Sequence, residues 1–169
     1  MMMKAIAFAA LVAVSAGASA LTTSWGPHDP AELGSNFVQG SGSLINDIYT
    51  FSLASASNTT SVSVTNDGAG GVFDLQNGKL SLFSGVPSTG TLVGSLSFDA
   101  APITHGWGTL AAGNYYYQVT AQVVSTALAG SYLLSSTLAQ PVPEPESYAL
   151  MLAGLAGVGF VAARRNRVR

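Results

Sequence analysis

His28 and His105 are the only histidines in this chain of 169 residues, and no cysteine accompanies them. A nucleophilic hydrolase needs a base beside its nucleophile, and histidine is the side chain that titrates near neutral pH. His105 shares a strand face with Trp107 and lies six residues after Asp99, so a serine placed near it would complete a Ser-His105-Asp99 triad. No Gly-x-Ser-x-Gly elbow presents that serine, and a strand histidine packed beside an aromatic ring accounts for His105 as well. His28 sits between Pro27 and Pro30, a segment that reads as loop. No catalytic set is expected, and the chain reads as non-enzymatic.

Two histidines without cysteine do not assemble a typical zinc site. Oxygen ligation of calcium is the open alternative. Asn66, Asp67 and Asp74 flank Gly68-Ala69-Gly70-Gly71, and Asp47 opens a neighbouring strand candidate. The spacing matches neither the EF-hand loop nor the glycine-rich nonapeptide, and the same residues are ordinary turn formers. No cofactor is expected otherwise, since the glycines are scattered in turns and form neither a P-loop nor a dinucleotide fingerprint. Trp25, Trp107, Tyr115, Tyr116 and Tyr117 could stack on sugar faces or fill a core. Tyr116 alternates against Tyr115 and Tyr117, so it is the ring expected at the surface and the candidate ligand contact.

The elements that would carry these residues follow a period of two. Ile45, Asp47, Tyr49, Phe51 and Leu53 share one face, with Asn46, Ile48, Thr50 and Ser52 on the other. Thr60 to Thr65, Val72 to Leu75, Lys79 to Phe83, Thr91 to Phe98, His105 to Leu110, Asn114 to Val124 and Ser131 to Leu138 read as further strands. Leu92, Leu96 and Phe98 are expected on one face. Along 114–124, Tyr115, Tyr117, Val119, Ala121 and Val123 are expected inward. Asn66-Asp67-Gly68 and Asn77-Gly78 are tight-turn signals. Leu21 to Gly42 is broken by Gly, Pro and Ser, and Trp25 to Pro30 is expected to be loop. Seven or eight short strands with regular turns and no helical stripe point to an all-β fold, an antiparallel β-sandwich with jelly-roll or Greek-key wiring.

Both ends differ from this body. Lys4 followed by the apolar run Ala5 to Val14 and the small-x-small triplet Ala18-Ser19-Ala20 read as a secretory signal over 1–20, cleaved so that Leu21 becomes the first residue. Residues 21–140 form the β domain. Residues 141–169 form a three-part tail. Its hinge, Pro141-Val142-Pro143-Glu144-Pro145-Glu146, is held extended by its prolines. The uncharged stretch 147–163 follows, about 25 Å long as a helix and sufficient for a short membrane span. Arg164, Arg165, Arg167 and Arg169 then hold the C-terminus in the cytoplasm. Residues 21–143 carry Asp29, Glu32, Asp47, Asp67, Asp74 and Asp99 against one base, Lys79, a balance that excludes nucleic-acid binding through phosphates.

Val142-Pro143-Glu144-Pro145, the apolar stretch and the arginine-rich end together resemble the PEP-CTERM sorting signal of Gram-negative bacteria. The resemblance implies that exosortase, an integral-membrane transpeptidase-like enzyme, recognises Pro143-Glu144-Pro145 and cuts nearby. It also implies passage through the inner membrane, transient anchoring, and delivery to the cell surface or a matrix rich in exopolysaccharide, as in biofilm. Asp47-Ile48-Tyr49-Thr50-Phe51, Leu80-Ser81-Leu82-Phe83 and Leu110 to Val119 resemble marks of bacterial pre-peptidase C-terminal-type sandwiches. That resemblance implies an accessory module, some of whose members bind glycans, collagen or calcium. The Asp47 segment is also similar to a PEP-CTERM subfamily marked by Phe-x-Asp-x-Phe, with Ile45 and Tyr49 in place of both phenylalanines.

Overall fold

The computed structural model describes residues 17–65, 71–99, 102–138 and 149–156, with no side-chain detail over 60–65. The chain divides into two compact units, Met1–Ala139 and Gln140–Arg169. Ten strands make up the first: β1 (Ala18–Ser19), β2 (Thr22–Pro27), β3 (Ala31–Gln39), β4 (Leu44–Leu53), β5 (Ser57–Thr65), β6 (Leu75–Ser84), β7 (Thr91–Phe98), β8 (Ile103–Leu110), β9 (Gly113–Val123) and β10 (Ala129–Leu138).

They form two sheets. The first runs β1-β4-β9-β6-β7, with β2 also on β4; the second runs β3-β10-β5-β8. The chain alternates between the sheets from β3 to β6 and again from β7 to β10, so each sheet is assembled from distant pieces. β4 and β9 pair antiparallel over ten residues, from Leu44 opposite Gln122 to Leu53 opposite Gly113. Their alternation is the expected one. Ile45, Asp47, Tyr49, Phe51 and Leu53 are buried from β4, and Tyr115, Tyr117, Val119, Ala121 and Val123 from β9. From the second sheet Val38, Tyr132 and Leu134 complete the core. Such a sandwich is stable because each sheet hides one apolar face against the other.

The segment before residue 42 departs from expectation. Residues 22–27 and 31–39 are strands, and Trp25 to Pro27 lies within β2 rather than in a loop. β1 and β2 run parallel to β4 in one register, Ala18 opposite Leu44 and Thr22 opposite Ile48, as an edge strand nearly continuous from 18 to 27. A bulge between Ser24 and Gly26 absorbs the irregular sequence, with Gly26 at φ 75°. Pro27 is tolerated because it ends an edge strand, where a missing N–H breaks no ladder. The expected 20/21 boundary therefore falls in the middle of this edge strand, between β1 and β2.

Asn77-Gly78 is not a hairpin turn. It lies inside β6 as a bulge against β9, between Gln76 and Lys79, with Asn77 at φ 57°. Its positive-φ chemistry is the one the sequence signalled, used to kink a strand instead of reversing it. A second bulge, between Leu82 and Phe83, places Phe83 opposite Leu92, and Leu92 is 52% exposed while Phe98 stays buried. The Asn66-Asp67-Gly68 turn lies outside the described residues.

In the second unit, residues 149–156 are helical, with Leu150, Met151, Leu152 and Leu155 exposed. No helix among the described residues is long and apolar enough to cross a membrane. Most of the expected span at 147–163 lies outside the described residues, as do Val142, Pro143, Glu144, Pro145 and Arg164, Arg165, Arg167 and Arg169.

Candidate functional site

An aspartate on the buried face of an amphipathic strand must find hydrogen-bond donors or lose its charge. Asp47 has no exposed surface. Its carboxylate reaches from β4 across to the second sheet. Oδ2 accepts from the Tyr132 hydroxyl at 2.6 Å and from Asn36 Nδ2 at 2.8 Å. Oδ1 accepts from the backbone N–H of Leu21 at 2.7 Å. Asn36 and Tyr132 are register partners on β3 and β10, so one pair of facing residues delivers both donors to Oδ2.

The donors are themselves held in place. Tyr132 gives its proton to Asp47, so Tyr49 donates to Tyr132 across 2.7 Å. Asn36 uses its second amide hydrogen on Ser19 Oγ at 3.0 Å, and its oxygen accepts from the Phe37 N–H at 2.7 Å. This fixes the orientation of the amide. Burial pushes both phenols above the ordinary tyrosine value. The bond to Asp47 holds the Tyr132 proton further, and the Asp47 charge adds to the effect at Tyr49. Gly34 makes room for this cluster: a Cβ there would stand 2.5 Å from the Tyr49 ring.

A second polar cluster crosses the sandwich further along β10. His28 Nε2 lies 2.8 Å from Ser136 Oγ, and the Tyr117 hydroxyl lies 3.1 Å from the same oxygen. His28 Nδ1 faces the Asp29 carbonyl. A consistent proton assignment has Tyr117 donating to Ser136, Ser136 to Nε2, and Nδ1–H to the carbonyl. Phe51 packs edge-on to the His28 ring at 5.0 Å, and Trp25 covers Tyr49 at 5.2 Å and Tyr117 at 6.1 Å. This is a serine–histidine contact that sequence spacing does not reveal, because 108 residues separate the two. Ser136 has no exposed surface and sits in mid-strand, so a substrate carbonyl has no path to its oxygen. The imidazole nitrogen that a triad would give to a carboxylate is turned to a backbone carbonyl instead.

The expected site residues lie on different elements. His105 is exposed on β8, its ring edge-on to Trp107 at 4.5 Å, and Asp99 is exposed beyond the end of β7. Of the calcium candidates, Asp67 lies outside the described residues and Asp47 is committed to the interior. Asp74 precedes β6, where its carbonyl accepts from the Val124 N–H at 3.1 Å. Asp47 pairs with Val119 on one edge of β9, whereas Asp74 lies across the other edge, at Val124. No group of three or more His, Cys, Asp or Glu side chains gathers among the described residues. Tyr116 is corrected outright: it is 5% exposed, not a surface ring. Phe83 stacks on it at 4.8 Å with planes 5° apart, and a Cβ at Gly90 would stand 2.6 Å from its ring. The outer sheet face is covered at this point by the β6–β7 connection, so alternation along β9 does not bring Tyr116 to solvent.

An apolar groove of about 660 Å³ lies between the start of β10 and the end of β3. Phe37, Val72, Phe73 and Leu128 line it, with Gln39 and Ser41 at hand. Phe37 is 51% exposed, and its ring lies 5.8 Å from that of Phe73.

No curated protein matches the chain. Among solved structures it is similar to the pre-peptidase C-terminal domain of collagenase from Bacillus anthracis, at 18% identity and a TM-score of 0.48, over 69% of this chain and 94% of that one. It is also similar to PliG of Aeromonas hydrophila, a periplasmic inhibitor of g-type lysozyme, at 15% identity and a TM-score of 0.41, over 72% and 100%. Residues 141–167 match the family model of the PEP-CTERM protein-sorting motif. That motif implies export, transient membrane anchoring and processing by an exosortase. What the chain carries behind its β-sandwich is thus a PEP-CTERM sorting motif.

Proposed function

We propose that this chain is a non-enzymatic surface protein of a Gram-negative bacterium, released by exosortase cleavage near Pro143-Glu144-Pro145 into an exopolysaccharide matrix. The sorting motif at 141–167 is the observation that carries this reading. The β-sandwich supports it as a cargo with a hydrophobic core of its own. Asp47 and Ser136 are engaged in hydrogen bonds that cross between its sheets. The test is the intact mass of the protein from cells and medium, in the parent strain and in one lacking the exosortase gene. A chain that loses Arg164 to Arg169 only when the enzyme is present is the expected outcome. A chain that keeps those arginines in both strains would mean a permanent anchor and would overturn sorted release.

A second reading, glycan recognition, is favoured by the groove at Phe37 and Phe73, where an exposed and a half-buried ring meet polar Gln39 and Ser41. Retention of the mature protein on the producer's polysaccharide, reduced by Phe37→Ala, is its expected signature. Loss of retention on adding a chelator would bring calcium into that reading. No retention under either condition would end it.

A further inference from the structure

Asp47 is the most deeply buried acid among the described residues, and each hydrogen bond drawn to it above comes from a neutral donor. A buried carboxylate is stabilised most by a cation at its side. The one lysine in the body, Lys79, lies on an exposed stretch of β6. The donor to Oδ1, however, is the backbone nitrogen of Leu21, the residue that follows Ala18-Ser19-Ala20. The Leu21 side chain is 40% exposed while its nitrogen faces the interior.

We propose that signal removal at Ala20–Leu21 completes this site, and that Asp47 is the receptor for the new amino terminus. In the cut, water adds across the Ala20–Leu21 amide. Ala20 leaves as a carboxylate, and the Leu21 nitrogen takes up protons to become an ammonium. That ammonium then stands where the amide N–H stands now, 2.7 Å from Asp47 Oδ1. A hydrogen bond from a neutral donor becomes a buried ion pair while β2 keeps its register on β4, and β1 departs with the signal. The precursor lacks this pair. The ion pair therefore takes over from the β1 pairing and the Ser19 contact that leave with the signal. The neighbouring alternative is unlike it: a chain beginning at Gly17 would place its ammonium 3.1 Å from the neutral Ser43 Oγ.

The inference rests on the export reading, and N-terminal sequencing of the exported protein separates the two. An uncut N-terminus would defeat the export reading. A start at Gly17, or anywhere but Leu21, would overturn only the pairing. With a Leu21 start, the α-amine of the folded protein is expected to react with an amine-labelling reagent about tenfold or more slowly than in the same chain unfolded. Asp47→Asn is expected to abolish that protection. Should Asp47→Asn not fold, a chain that retains Ala20 keeps every partner and moves the ammonium by one residue. It is expected to unfold at a lower denaturant concentration than the Leu21 form. Equal labelling of folded and unfolded protein, or equal midpoints for the two starts, would overturn the proposal.

Discussion

The two polar clusters between the sheets are anchored on the same strand, one at Tyr132 and one at Ser136, with the fully buried Leu134 between them. They are built differently. Around Asp47 all donors converge on one carboxylate, so the direction of each hydrogen bond is dictated by the acid. In the second cluster no charged group gathers the donors: Tyr117 donates to Ser136, Ser136 to His28 and His28 to the Asp29 carbonyl, a line of single bonds whose direction that carbonyl sets. A converging cluster fixes which residues face each other across the sandwich; a linear chain mainly satisfies the groups it contains. The Asp47 cluster also reaches β3, β4, β10 and the nitrogen just before β2, which makes it the clamp of the first sheet edge to the second sheet.

The contrast is sharpest under substitution. Asp47→Ala leaves Tyr132, Asn36 and the Leu21 N–H without their acceptor inside the core, and is expected to cost about 3–5 kcal/mol in denaturant unfolding. Alkaline pH tests the same cluster without mutation. Both Tyr49 and Tyr132 have raised folded-state values, so their neutral form is the one the fold requires. Stability is unaffected below the unfolded tyrosine value near pH 10 and falls as pH rises past it, because only the unfolded chain can then ionise. The expected slope from Tyr132 approaches about 1.4 kcal/mol per pH unit, Tyr49 adds to it in the same direction, and Tyr132→Phe should reduce it. At the linear chain the effect is smallest. Ser136→Ala should cost about 1–2 kcal/mol, since Tyr117 and His28 lose one shared partner. A Ser136→Ala penalty equal to that of Asp47→Ala would erase the distinction.

How legible this was depended on how local each cause is. β4 and β9 were readable because their two faces differ along ten residues of unbroken alternation. That same alternation held the clue to the polar cluster: an acid between Ile45 and Tyr49 on an inward face must be met by donors. Read instead as a strand-opening calcium candidate, Asp47 lost that meaning, and its partners Asn36 and Tyr132 cannot be named from spacing because pairing of β3 with β10 brings them together. β2 was hidden because Gly26 and Pro27 are loop residues by local rules, and only the free edge of β4 makes them strand. Asn77-Gly78 has the same dihedral needs in a turn and in a bulge, so its chemistry was legible and its role was not. Tyr116 failed because a strand face is exposed only if nothing folds over it, and Phe83 and Gly90 do.

The wiring of the second sheet sets a timetable. β10 lies between β3 and β5, pairing Thr137 with Ala31 on one side and with Thr60 on the other. Neither of those earlier strands has a finished sheet to join until the last strand arrives. A chain threaded through a membrane amino end first would therefore travel as an open polymer for almost the whole length of the body. It would close only when residues 129–138 emerge, just ahead of the segment that detains it at the bilayer.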